Sequence, residues 1–247
     1  MSRVRNFLAR ALQKAAFKID PPAPRVELSD GFIPWLTFAN AGMLERGNLH
    51  LIDLAMRQLP SDAPILEIGS FCGLSTNILT HLKTKHHRNN RLITCDKWLF
   101  EGAGKDMDRI EDSQVVFSGY RSFVKESFLR NTSFFSAHDL PSTVEMTSEE
   151  FFEAWSKRES AQDVFGRPLT LGGPLSFCFI DGNHSYEGAK SDFLGCDAFL
   201  EKGGYLLFDD STLMEFGVHK LMPEVLAMGR YVLVAQNPNH LFQKIRG

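Results

Sequence analysis

Two groups of residues in this 247-residue chain have types and spacing suited to chemistry. The first is the stretch Glu67-Ile68-Gly69-Ser70-Phe71-Cys72-Gly73-Leu74-Ser75, at the end of an apolar run over 64–68. Gly69 and Gly73 permit a sharp turn and close approach of a ligand to the backbone, and a helix after the turn would open with unsatisfied N–H groups. Glu67 suits a ligand that carries an amine or a positive charge. Asp96 ends the next apolar run, 27 residues after Gly69, where a carboxylate can accept both hydroxyls of a ribose. Phe71 and Leu74 stand where a dinucleotide-binding turn has its second and third glycines, so the turn is poorly suited to a pyrophosphate. Together these residues point to a nucleoside-containing ligand.

The second group is acidic. Asp181 ends an apolar run and is followed by Gly182, Asn183 and His184, while Asp209 and Asp210 end the run over 204–208. If the two runs are strands of one parallel sheet, their carboxyl ends lie on one rim and the three acids converge there. Such carboxylates repel one another unless a cation stands between them, and oxygen ligands favour Mg²⁺ or Mn²⁺ over zinc. The competing reading is that Asp209 or Asp210 caps a helix and Asp181 merely ends a strand. His184, with an ordinary pKa of about 6.5, suits a general base for a hydroxyl polarised by such an ion, or a brace for the helix that follows.

The elements that would position these residues follow from hydrophobic periodicity. Short apolar runs at 64–68, 91–95, 132–137, 175–180 and 204–208 alternate with helix-like segments at 74–85, 113–130, 147–158 and 185–201. Runs buried on both faces and separated by helices predict a parallel sheet wound on both sides. Thr147 with Glu150 predicts a capping box, and Gly203-Gly204 a left-handed cap after a helix ending at Lys202. YVLVAQ and HLFQKI flank Asn237-Pro238-Asn239 and predict a terminal hairpin.

The glycine turn, E-I-G-S-F-C-G-L-S, resembles the first motif of the class I S-adenosylmethionine-dependent methyltransferases, in particular the catechol and caffeoyl-CoA O-methyltransferases. The resemblance spans roughly residues 60–247. It implies an α/β fold with a Rossmann-like sheet, parallel except for an antiparallel last strand. It further implies that Glu67, Gly69, Ser70, Gly73 and Ser75 surround the methionine part of the cofactor, and that Asp96 binds its ribose. His138 and Asp139, expected just after a third strand at 132–137, would contact adenine, although a turn cap is the competing role for Asp139. Trp98 is a further candidate for packing against adenine, or else a core residue. Asp181, Asp209 and Asp210 match the metal positions of metal-dependent O-methyltransferases, and the Asp-Asp pair resembles the macrocin-type sugar enzymes. The catechol branch has Asp-Asn there and a lysine in place of His184, so both positions depart from it.

The implied activity is methyl transfer from S-adenosylmethionine to a hydroxyl of a small sugar, diol or phenol, assisted by Mg²⁺ or Mn²⁺. The alternatives are a metal-independent N- or carboxyl-methyltransferase and a non-catalytic cofactor-binding protein. Residues 1–59 form an N-terminal helical extension, with Phe32, Trp35 and Phe38 as cap residues, and 60–247 the catalytic domain. Within the extension, Arg3, Arg5, Arg10, Lys14 and Lys18 punctuate a helical apolar pattern that Pro21, Pro22 and Pro24 stop. This segment reads as a helix docked on its own domain or on a second subunit, as a membrane-surface element, or as a transit-like segment. Docking is favoured, and with it a homodimer.

Composition is that of a globular protein, with 43% hydrophobic and 23% charged residues. A net charge of −3, from 27 basic and 30 acidic residues, argues against nucleic acid as partner. Arg121 and Lys125, with Tyr120, are candidates to reach an anionic substrate, or else solvated helix surface. No apolar stretch is long enough to span a membrane, and Cys72, Cys95, Cys178 and Cys196 form no CxxC pair. The expectation is a cytoplasmic protein with reduced, buried thiols.

Overall fold

Strands that read as continuous apolar runs become the centre of the sheet, because both of their faces are covered. The computed structural model describes residues 26–99 and 105–247. α1 (Ile33–Ala39) and α2 (Arg46–Arg57) lead into β1 (Ile65–Ile68), α3 (Leu74–Lys85), β2 (Leu92–Cys95), α4 (Phe117–Phe135) and β3 (Ser142–Val144). α5 (Ser148–Lys157) and a small hairpin of β4 (Ser160–Gln162) and β5 (Pro168–Thr170) precede β6 (Leu175–Ile180). α6 (Tyr186–Phe199), β7 (Leu200–Phe208), α7 (Met222–Ala227), β8 (Tyr231–Gln236) and β9 (His240–Lys244) complete the fold.

The main sheet runs β3-β2-β1-β6-β7-β9-β8. Its first five strands are parallel, whereas β9 is antiparallel to both β7 and β8. From β1 the chain winds outward through β2 and β3, then returns to β6 on the other side of β1. The strand order therefore reverses between β1 and β6, and a crevice opens at their carboxyl ends, where ligands bind in such sheets. Gly69 and Asp181 lie at that point, one residue beyond each strand.

Alternate residues of β1 feed two cores. Leu66 and Ile68 pack with Phe151, Trp155 and Phe193 on one face, and Ile65 packs with Ile78, Leu79 and Leu82 on the other. Leu51, Ile52, Ala55 and Met56 of α2 belong to that second cluster, together with Phe177, Phe179 and Leu207 of the sheet. Residues 26–59 thus share the core of the sheet and build none of their own. The four cysteines are free and buried.

The sequence pattern misplaces one strand. The run at 132–137 is expected as the third strand, yet 132–135 are the last turn of α4, where Val124, Phe128 and Thr132 recur every fourth residue on its buried face. The third strand is Ser142-Thr143-Val144, too short and polar to register as an apolar run. It is held to β2 by its ladder and by a 2.8 Å hydrogen bond from Thr94 Oγ1 to Thr143 Oγ1. The terminal hairpin and the Thr147–Glu150 capping box form as expected. α6 stops at Phe199, before the expected end, and Gly203, at φ +88°, lies within β7 and does not cap that helix. The basic segment 1–19, its prolines and residues 100–104 lie outside the described residues. Among the described residues no helix is long and apolar enough to cross a membrane.

Candidate active site

Gly69 leaves β1 at φ +82°, and a Cβ added there would stand 1.9 Å from the carbonyl oxygen of Asp181. Only glycine lets the two strand ends come this close. Gly73, at φ +86°, opens α3 in the left-handed region. Asp96 ties the turn between them: the Ser70 and Phe71 N–H groups donate to its Oδ2 at 2.8 and 2.9 Å, and Trp98 N–H donates to Oδ1 at 2.6 Å. Burial nonetheless pushes the Asp96 pKa upward, against the pull of these bonds.

Glu67 sits beneath the turn, fully buried, and is not on the wall of the cleft. Burial raises its pKa to about 8, although the Ser75 and Thr76 hydroxyls favour the charged form. Thr76 Oγ1 donates to Oε2 at 2.5 Å, while Oε1 has no hydrogen-bond partner among the described residues. An orphaned carboxylate oxygen under a glycine turn is what a cationic group of a ligand would satisfy.

At the rim, Asp181, His184 and Asp210 each offer a ligand atom within 4.8 Å of the others. His184 Nε2 lies 3.1 Å from Asp210 Oδ2, and its ring stacks on Phe216 with centroids 4.5 Å apart. Two carboxylates in this arrangement offer oxygen ligands that fit a divalent cation by donor chemistry, with an imidazole beside them. Burial, then the charges of Asp209 and Asp210, push the Asp181 pKa well up.

Asp209 also lines the cleft but falls outside the set of ligand atoms that lie within 4.8 Å of one another. Its Oδ1 accepts from Asn48 Nδ2 at 2.8 Å, from Asp210 N–H at 2.9 Å and from Asn239 Nδ2. Its pKa rises to about 6 through burial and the neighbouring Asp210. The three acids expected to converge all line the cleft, Asp181 and Asp210 within 4.8 Å of each other and Asp209 held by three donors.

Ser70 and Ser75 line the cleft. Trp98 borders it, but its ring is 1% exposed, packs on Phe128 with centroids 5.5 Å apart, and donates from Nε1 to Phe71 O at 2.9 Å. It braces the glycine turn from within the core and offers no open face for a base. His138 and Asp139 are not at the cleft. Because 132–135 are helical, both residues precede β3 and lie at the amino end of the sheet, where Asp139 pairs with Lys83 and His138 meets Thr84 Oγ1 at 3.2 Å. The segment after β3, from Met146 to Glu149, lines the cleft instead.

The glycine turn and the acidic rim are two ends of one cleft of about 680 Å³, a size that suits small-molecule ligands. The model of a family described as "methyltransferase domain" matches residues 66–211, more than half of the chain and both ends of this cleft. The chain belongs to that family. Solved structures agree on the fold of this methyltransferase. CalS11, a TDP-rhamnose 3'-O-methyltransferase of calicheamicin biosynthesis, superposes with a TM-score of 0.54 at 17% identity, covering 94% of this chain and 92% of its own. The O-methyltransferase TomG from Streptomyces achromogenes, in complex with SAM, gives 0.53 at 16% identity, covering 90% and 92%. An O-methyltransferase from Bacillus cereus, in complex with SAH, gives 0.53 at 12% identity, covering 96% and 97%. No curated protein matches the sequence.

Three further residues around the cleft of this methyltransferase belong to neither of the two groups that motif and spacing single out. Asn48 and Asn239 hold Asp209 from α2 and from the terminal turn, and two asparagines so far from the rim acids carry no local signal. Asp192 is buried on α6 beneath Gly182, and burial lifts its pKa to about 7. An acid beside the inward residues Ala189, Phe193 and Cys196 is a signal that the sequence does carry.

Proposed function

We propose that this methyltransferase moves the sulfonium methyl of S-adenosylmethionine to a hydroxyl of a small acceptor, with a divalent cation at the acidic rim. The observation that carries this reading is that one cleft joins the Gly69–Gly73 turn and Asp96 to the group Asp181, His184 and Asp210. Glu67, buried beneath the turn, would attract the ammonium of the cofactor's methionine part across the turn when ionised. Ser70, Ser75 and Asp96 would fix the methionine and ribose ends, and the Met146–Glu149 segment would border adenine.

Asp181 and Asp210 would hold the ion, which when bound supplies a Lewis acid that lowers the pKa of an acceptor hydroxyl. His184, whose Nε2 stands beside Asp210, would take the proton from that hydroxyl. Asp209, locked by Asn48 and Asn239, accepts the Asp210 N–H and so fixes the backbone from which Asp210 reaches the rim. The remaining contribution of the chain is positioning of the two reactants in line. Calorimetric titration of Mn²⁺ into the protein loaded with S-adenosylmethionine tests the arrangement. The expected result is one site that Asp210→Ala abolishes while cofactor affinity is retained; equal Mn²⁺ binding by the variant would refute it.

A further inference from the structure

Among the described residues, acidic side chains far outnumber basic ones in the lining of the cleft. Seven carboxyl groups line it among the described residues, from Asp96 and Glu149 at one end to Asp210 and Glu215 at the other. Lys97 is the one lysine or arginine of that lining, and its Nζ is 2.9 Å from Glu150 Oε2. Arg121 and Lys125, the sequence candidates for reaching an anionic substrate, do not line the cleft: both are paired with Glu145, at 3.2 and 2.6 Å. A cation at the rim would offset the charge of Asp181 and Asp210, but Glu149 and Glu215 lie outside that group.

Beside the acidic rim the walls turn apolar. Met43 is 83% exposed, Leu99 62% and Leu213 41%, and all three face the cleft together with Leu44 and Phe216. Exposed apolar side chains around a polar floor mark a surface built to be covered by an apolar ligand body. Their charge setting selects which body. An anionic group brought between Glu149 and Glu215, both exposed at the cleft, is repelled, and unpaired like charge is an effective means of rejecting a ligand.

We infer that the acceptor is an uncharged or cationic hydroxyl compound with an apolar body, and that anionic acceptors, nucleotide-linked sugars among them, are rejected by the carboxylate-lined cleft. This rests on the methyl-transfer reading and narrows it to a substrate class. TDP-rhamnose, for which CalS11 is named, carries a diphosphate, so the two proteins share a fold and differ in the substrate they admit.

Binding of matched probes tests the inference without requiring turnover. The protein is first titrated with S-adenosylhomocysteine and Mn²⁺, then with three vicinal diols on one ring: dopamine, 4-methylcatechol and 3,4-dihydroxybenzoate. Dopamine and 4-methylcatechol are expected to bind at least about tenfold more tightly than 3,4-dihydroxybenzoate, a ratio that one close like-charge contact readily supplies. TDP-rhamnose is expected not to bind. Glu215→Lys, on an exposed loop, should shrink the ratio severalfold. Equal or tighter binding of the anionic probe or of TDP-rhamnose, an unchanged ratio in Glu215→Lys, or no binding of either uncharged or cationic diol up to about 10 mM would each overturn it. Absence of S-adenosylhomocysteine binding in the first titration would overturn the methyl-transfer reading itself, and this inference with it.

Discussion

Glu67→Gln should make the cofactor-free protein more stable, and increasingly so as pH rises. Burial lifts the Glu67 pKa from 4.5 to about 8. The folded protein therefore keeps a proton over a range where the unfolded chain has lost it, so stability falls as pH rises from the unfolded value towards the folded one. At about 1.4 kcal/mol per pH unit, the carboxyl costs under about 1 kcal/mol at pH 5 and up to roughly 4 kcal/mol at pH 8, an upper bound that structural relaxation reduces. Glutamine keeps the shape and a hydrogen-bonding carbonyl for Thr76 but cannot ionise. Urea denaturation of both proteins at the two pH values isolates the residue, because Asp192 and Asp209, which shift in the same direction, are common to both. The variant should gain roughly 2–3 kcal/mol over the wild type between pH 5 and pH 8, equivalent to about 4–12 °C in melting temperature. It should also bind S-adenosylmethionine at least about tenfold more weakly, since a buried ionisable group kept at a cost to stability is expected where function needs it. A stability difference that is the same at both pH values, or a variant less stable at pH 8, would refute the reasoning.

Other substitutions separate the parts of the site. Asn48→Ala leaves Asp209 Oδ1 without one of its three donors and should cost about 1–3 kcal/mol in denaturation, with weaker Mn²⁺ binding and unchanged cofactor affinity by calorimetry. Gly69→Ala places a methyl 1.9 Å from the Asp181 carbonyl at a left-handed φ; it should destabilise by more than about 2 kcal/mol and abolish cofactor binding. Gly73→Ala meets only Phe128 and Thr132 side-chain atoms at 3.1 Å and should be the milder of the two in the same assays. His138→Ala, at the amino end of the sheet, should leave the dissociation constant for S-adenosylmethionine within about twofold of the wild type.

What the sequence discloses, and what it conceals, follows from where the determining contacts lie. β1, β2, β6 and β7 are legible because each is apolar on both faces, and the convergence of Asp181 with Asp210 follows from the rule that parallel strands share one rim. The Ser142–Val144 strand is invisible because three small polar or β-branched residues carry no period, while Phe134 and Phe135 lend the preceding helical turn the look of a strand. That single displacement carries His138 and Asp139 to the wrong end of the sheet. The division of labour between Asp209 and Asp210 is illegible for a different reason: adjacent acids look alike, and the donors that distinguish them, Asn48 and Asn239, are 161 and 30 residues from Asp209. Trp98 likewise follows Asp96 closely, but the Phe71 carbonyl and the Phe128 ring, which only the tertiary structure brings near, turn it inward.

The central claim is metal-assisted transfer of a methyl group to a hydroxyl. The most direct measurement is transfer of labelled methyl from S-adenosylmethionine to uncharged and cationic vicinal diols, in Mn²⁺ or Mg²⁺ and again after chelation, with Asp181→Asn alongside. Labelled ether product that forms with metal, disappears with chelator and falls by at least about a hundredfold in the variant is the predicted result. Product formation that chelator and Asp181→Asn both leave undiminished would contradict it.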